Sequence, residues 1–321
     1  MQPPPVLSLA VPMYNEEEGL DLFFNRVREV MASLGVTYEI VCVNDGSRDG
    51  TLEGLLARQA QIPELVVVDL SRNFGKDVAL TAAIDHCTGR AVVPLDADLQ
   101  DPPELLGEML ERWREGYDVV CAVRSSRKSD GWLKQFSARQ FYRWFNRVAE
   151  VPIPSDAGDF RLMDRRVVEA LSGLRERNRF MKGLFAWTGF KTAYVTFERP
   201  ERAAGTTKWN YWKLWNFALD GIFAFSSAPL RIWTYLGVLI SLSSFLYALV
   251  IVVRTLFIGI DVPGYASLLV FMLFLSGIQL IGLGVMGEYV GRIYKEAKQR
   301  PLYLTQSVYR HASGQGETAV R

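Results

Sequence analysis

From Ile232 to Val253 the chain runs 22 residues without a charged side chain, and from Val262 to Gly287 it runs another 26. Each stretch exceeds the roughly 20 residues that a helix needs to cross a ~30 Å hydrocarbon core. Two buried helices of a soluble domain would also explain such runs. A pair separated only by Arg254 to Asp261, however, reads as a membrane hairpin. Lys208, Lys213 and Arg231 precede the first run, and Arg292, Lys295, Lys298 and Arg300 follow the second. The connection holds only Arg254 and Asp261, so the basic residues place both flanks on the cytoplasmic side.

Ahead of these runs the pattern is that of an α/β domain. Short apolar runs at Leu7–Val11, Tyr38–Val43, Leu65–Leu70, Ala91–Leu95 and Asp118–Ala122 read as strands. They alternate with helical patterns at Glu17–Leu34, Thr51–Gln61, Lys76–His86 and Pro103–Trp113. That alternation predicts βαβ units around a mostly parallel sheet, whose ligands bind at the carboxyl ends of the strands. The run Val6–Met13 is too short for a signal peptide and lacks a basic flank, so the domain is expected to stay on the side where it is made.

The organisation expected is a catalytic domain over 1–208, interfacial helices over 209–231, two membrane helices over 232–287 and a cytoplasmic tail over 288–321. The basic, aromatic stretch Arg127–Glu150 fits either an interfacial helix or one packed on the sheet. Trp209, Trp212, Trp215 and Tyr211 suit the headgroup level. The tail from Thr305 onward has no periodicity and is expected to be loosely ordered.

Several function classes are excluded early. Cys42, Cys87 and Cys121 lack metal-ligand spacing and read as buried reduced thiols. With only His86 and His311, a histidine-rich metal site or a Ser-His-Asp triad has little support. No G-x-G-x-x-G follows the first strand and no Walker-type phosphate loop occurs anywhere. The formal net charge of +1 is uninformative about partners, and no nucleic acid is expected among them.

The chemistry lies in three acidic turns. "VPMYNEEEG" follows the first strand, "VNDGSRDGT" the second and "LDADLQDPP" the fourth, so all three can meet over one crevice. Asp49 reads more as a capping residue than a ligand, and Asp45 the reverse. Asp96 and Asp98, two apart where a strand breaks into a turn, can converge on one ligand. Clustered carboxylates repel unless a cation lies between them, and oxygen ligands suit Mg²⁺ or Mn²⁺ with room for substrate phosphates. Arg124, Arg202 and Lys208 are candidates to meet phosphate oxygens, with Gly205 allowing close loop packing.

Four segments carry a family resemblance: Pro12-x-Tyr14-Asn15-Glu16, Asn44-Asp45-Gly46-Ser47-x-Asp49-x-Thr51, Asp96-x-Asp98-Leu99-Gln100-x-Pro102-Pro103 and Asp159-Phe160-Arg161. With Arg202…Gly205…Lys208-Trp209 and the apolar hairpin, the chain from Val6 to about Tyr303 resembles family 2 glycosyltransferases of the GT-A fold. Within them it is most similar to the polyprenyl-phosphate group, which includes dolichyl-phosphate mannose synthase and bactoprenol glucosyltransferases.

The resemblance implies that Pro12, Tyr14, Glu16 and Asp45 line the nucleoside pocket. It implies Asp96 near ribose and metal-bound diphosphate, Asp98 as a direct metal ligand, and Gln100 beside them. Asp156 or Asp159 would face the sugar, and Arg161, Arg202 and Lys208 the phosphates. The implied reaction is inverting transfer from a nucleotide sugar to a polyprenyl phosphate, with UDP-glucose and undecaprenyl phosphate the leading pair. GDP-mannose, UDP-N-acetylhexosamine and UDP-4-amino-4-deoxy-arabinose are rival donors. A processive polysaccharide synthase is disfavoured because no Q-x-x-R-W segment occurs. A non-catalytic membrane scaffold is disfavoured because the acidic turn is intact. Gly277, Gly282, Gly284, Gly287 and Ser276 let helices approach closely in lipid, and the resemblance tips the expectation towards a homo-oligomer such as a tetramer.

Overall fold

β-Branched runs bounded by Gly, Pro and Asp set the strands, and the computed structural model describes residues 3–124, 157–177, 179–197, 228–258 and 264–311. The first half alternates strictly: β1 (Leu7–Met13), α1 (Leu20–Leu34), β2 (Tyr38–Asn44), α2 (Thr51–Gln59), β3 (Leu65–Leu70), α3 (Lys76–His86) and β4 (Ala91–Pro94). Then come α4 (Leu106–Arg114), β5 (Val119–Arg124), β6 (Ala157–Asp164), α5 (Arg165–Gly173), α6 (Met181–Trp187) and β7 (Thr192–Phe197). Two long helices follow, α7 (Ala228–Ile258) and α8 (Tyr265–Ala297), and β8 (Thr305–Tyr309) comes last.

One eight-stranded sheet has the order β7-β5-β6-β4-β1-β2-β3-β8. The β4-β1-β2-β3 core is wholly parallel, and β6 and β8 run antiparallel to their neighbours. The chain leaves β1 for β2 on one side and later returns to β4 on the other. That reversal opens a crevice at the carboxyl ends of β1 and β4.

Alternating side chains then feed two cores. Leu9, Val11, Ile40 and Cys42 pack with Phe23, Val27 and Leu55 of α1 and α2. Ala10, Val41 and Val43 pack with Leu80, Ala83 and Ile84 of α3 on the opposite face. The three cysteines are buried and free, as their apolar surroundings imply.

The strand Leu65–Leu70 and the helix Lys76–His86 fall where the pattern puts them. β1 and β2 reach further, to Met13 and Asn44, because parallel pairing continues to the residues that open the acidic turns. The expectation for the tail needs correction. Thr305–Tyr309 is not loose but pairs with β3, Val308 opposite Val68 and Tyr309 opposite Val67. Its polar composition conceals the strand, because an edge strand needs only backbone groups to pair.

α7 and α8 have 31 and 33 residues, and many of their large apolar side chains, including Phe245, Phe257, Phe271 and Leu283, are exposed. Among the described residues one segment, Phe274–Ala297, is long and apolar enough to cross a membrane, and Ile232–Tyr247 is a shorter apolar helix. The Arg127–Glu150 stretch and the 209–227 segment lie outside the described residues.

Candidate active site

The turns after β1 and β2 are laced together. Asn15 N–H donates to Ser47 Oγ (3.0 Å), Arg48 N–H to Asn15 Oδ1 (2.9 Å) and Glu16 N–H to Thr51 Oγ1 (2.9 Å). Asp49 is the capping group its context suggests, its Oδ1 accepting from Thr51 N–H and the Thr51 hydroxyl. Asn44 Nδ2 donates to Asp69 at the end of β3 over 2.7 Å, both side chains being buried. Pro12, Tyr14 and Glu16 are half-buried along the same edge.

Asp45 is only 2% exposed, and its two oxygens accept the N–H groups of Phe74 (2.7 Å) and Gly75 (2.9 Å). Burial pushes its carboxyl pKa up, against those two donors. The carboxylate therefore fixes the turn between β3 and α3, and that turn fronts the crevice. Gly46 is needed where the turns cross. It has φ +61°, and a Cβ there would stand 2.6 Å from the Arg72 carbonyl carbon and Asn73 N.

The third turn carries the D-x-D pair. Asp98 Oδ1 accepts Gln100 N–H (3.1 Å), and Gln100 is buried. Leu99 between them has φ +53°, and Asn15 has φ +54°. Left-handed backbone at a bulky residue is costly and tends to persist at functional sites. Because β6 is antiparallel to β4, its early residues lie towards the acidic turn, and this delivers Asp159. One side chain joins both: Lys76 Nζ is 2.7 Å from Asp96 Oδ2 and 3.8 Å from Asp159 Oδ2.

Of the predicted residues, Asp96 and Asp159 thus meet through Lys76, with Asp98 and Gln100 in the same turn. Arg161 follows two residues after Asp159 on β6. Its guanidinium stacks 4.0 Å over the Phe185 ring, Nη2 donates to Gly158 O, and the residue is 7% exposed. Arg124 ends β5 opposite Phe197 of β7. Asp156, Arg202, Gly205 and Lys208 lie outside the described residues.

Lys76, Asp69 and the Phe74–Gly75 amides are site components that the motif reading missed. The signal for Lys76 was there: a Gly-Lys pair opening a helix just past a strand, where an acidic residue is expected. The donor chemistry of the turn fits a hard divalent cation, being carboxylate oxygens. Among the described residues no group of three or more His, Cys, Asp or Glu is placed to hold a metal ion by itself.

An acidic D-x-D turn at the switch point of a mostly parallel sheet fits an α/β domain of the GT-A kind. The chain belongs to glycosyl transferase family 2, whose model matches residues 8–172. An uncharacterized glycosyltransferase of Synechocystis sp. is 57% identical over 303 residues, covering 94% of this chain and 95% of that one. The bactoprenol glucosyl transferase of Shigella phage SfX is 49% identical over 301 residues, covering 94% and 99%. Among solved structures, a mannosyltransferase from Pyrobaculum calidifontis in complex with GDP-Man and Mn2+ has a TM-score of 0.44 at 22% identity, over 63% of this chain and 59% of that one.

Proposed function

We propose that the protein transfers one glucose from UDP-glucose to a polyprenyl phosphate, with undecaprenyl phosphate the leading acceptor. The observation that carries this reading is the convergence of the D-x-D turn, Lys76 and Asp159 at the carboxyl ends of β1 and β4. Near-full-length similarity to proteins named bactoprenol glucosyl transferase supports the choice of glucose and of a lipid acceptor.

In the transfer an oxygen of the acceptor phosphate forms a bond to the anomeric carbon. The bond from that carbon to the UDP β-phosphate oxygen breaks, giving a β-linked lipid phosphosugar and UDP. A phosphate monoester is already ionised near neutral pH, so no strong protein base is required. Asp159, held near Lys76, is then suited to orient the sugar rather than to accept a proton. Asp96 and Asp98 would hold Mg²⁺ or Mn²⁺ with Gln100 beside them, and the ion when bound neutralises the leaving diphosphate.

The apolar helices support a membrane-seated enzyme, and α7 with α8 would form the hairpin that keeps the catalytic domain on the cytoplasmic face of a bacterial inner membrane. Seating the site beside the lipid phosphate lowers the entropic cost of bringing two substrates together. Gly282 faces the Trp233 ring of α7, whereas a Cβ on Gly277, Gly284 or Gly287 would meet nothing within 4 Å. Those open small-residue positions support self-association into a homo-oligomer such as a tetramer.

The test is incubation of the purified full-length protein with polyprenyl phosphate and a panel of labelled nucleotide sugars. A lipid-extractable single-sugar product from UDP-glucose is expected. No such product with any donor overturns the reading.

A further inference from the structure

Lys76 stands against the electrostatics of its own helix. It is the first residue of α3, where unsatisfied N–H groups give a positive helix end that favours acids over ammonium groups. Its tertiary surroundings reverse that preference, with Asp96 Oδ2 at 2.7 Å and Asp159 Oδ2 at 3.8 Å. Burial acts to lower the lysine pKa, yet Asp96, Asp159 and Asp101 outweigh it and the net direction is up. The side chain is also 51% exposed, so it can swing without unpacking a core.

Asp96 belongs to the pair suited to a divalent cation. An ammonium bonded to its Oδ2 occupies a lone pair that the metal would use, and two cations at one carboxylate repel. The backbone that carries Lys76 is fixed independently, because Asp45 holds the amides of the two preceding residues. The lysine is therefore anchored at its root and movable at its tip.

We propose that Lys76 is the resident counter-ion of the metal site: it holds Asp96 until a divalent cation displaces it, and then turns to the phosphate oxygens of the bound donor. This proposal rests on the metal-dependent reading given above. It assigns the lysine two anionic partners in succession, a carboxylate first and a diphosphate second.

Two affinities of the full-length protein in detergent test it. Mn²⁺ binding is followed by the electron paramagnetic resonance signal of the free ion, and UDP binding in saturating Mn²⁺ by calorimetry. Lys76→Met should bind Mn²⁺ alone roughly fivefold more tightly, the scale of a half-exposed ion pair. It should bind UDP with Mn²⁺ about tenfold more weakly, the scale of a charge-assisted phosphate contact. Lys76→Gln should show the same opposed shifts, and Lys76→Arg should recover UDP binding. A lysine with a merely structural role would move both affinities in one direction or neither. Unchanged or weaker Mn²⁺ binding by Lys76→Met overturns the proposal, and so does unchanged UDP binding. A wild-type protein that binds no Mn²⁺, with or without UDP, overturns the metal-dependent reading as well.

Discussion

The two ends of the parallel sheet both carry carboxylates, and they treat them in opposite ways. At the amino ends of the strands, Glu39 is 8% exposed, and its Oε1 accepts from Ser8 Oγ (2.6 Å), Thr88 N–H, Thr88 Oγ1 (2.9 Å) and Gly89 N–H (3.2 Å). Every donor there is a backbone amide or a short hydroxyl side chain that cannot leave. At the carboxyl ends, Asp96 and Asp159 face one flexible ammonium and lie beside left-handed Leu99. The first arrangement closes a structural joint. The second leaves partly exposed carboxylates beside one mobile ammonium, an arrangement that suits the proposed ligand site.

The largest effect expected is on the carboxyl edge. Asp98→Ala should cut turnover about a thousandfold, on the scale of losing a key electrostatic contact in an active site. The melting temperature should hold or rise, because one like charge has gone from the turn. Labelled lipid product and thermal unfolding in detergent measure the two. Near-normal turnover would break the contrast between the edges.

The amino edge should answer in the other currency. Glu39→Ala strands the Thr88 amide and takes the acceptor from the Ser8 and Thr88 hydroxyls, while Gly89 N–H keeps Ser8 Oγ at 2.7 Å, costing about 3 kcal/mol of stability. Turnover per folded molecule should stay close to wild type. A large fall in turnover without a fall in melting temperature would mean that this edge, too, serves catalysis.

A third test concerns pH. Asp77, next to Lys76, has its pKa pushed up to about 6 by burial, with Asp159 adding and Lys76, Lys182 and the Met181 amide opposing. Its ordinary value is 3.8, so between the two the folded protein holds the extra proton. Stability should therefore fall as pH rises from about 4 to about 6 and level off above that, by about 3 kcal/mol in all. Asp77→Asn should flatten that part of the melting-temperature profile. An unchanged slope would show that the proton is held elsewhere.

The smallest effect concerns the strand that returns after α8. Ser71 N–H donates to Leu304 O (3.0 Å), and Tyr303 OH donates to Asp85 Oδ2 (2.9 Å), which Arg175 also meets at 2.6 Å. Tyr303→Phe should cost about 1 kcal/mol in thermal unfolding. A larger loss would mean that this segment governs the turn holding Lys76, which begins directly after β3.

Much of the fold was legible because its signals are local. Val66, Val67 and Val68 specify a buried strand wherever they pair, and the acidic turns announce themselves by composition. The reading erred where identity and partner part company. Thr305–Tyr309 gains its strand from the exposed edge of β3, a partner more than 200 positions away in the chain.

The sequence by itself determined the alternation of strands and helices, the two long apolar runs, and the presence of Asp96 and Asp98 at a strand end. These follow from periodicity, hydrophobic content and turn chemistry, which act over a few residues. Only the tertiary structure decided that Asp45 holds the amides of Phe74 and Gly75, and that Arg161 stacks on Phe185. It alone set Lys76 between Asp96 and Asp159. Hydrogen bonds and ion pairs are won in three dimensions: a charge records no partner in the chain, and sheet topology chooses which one it meets.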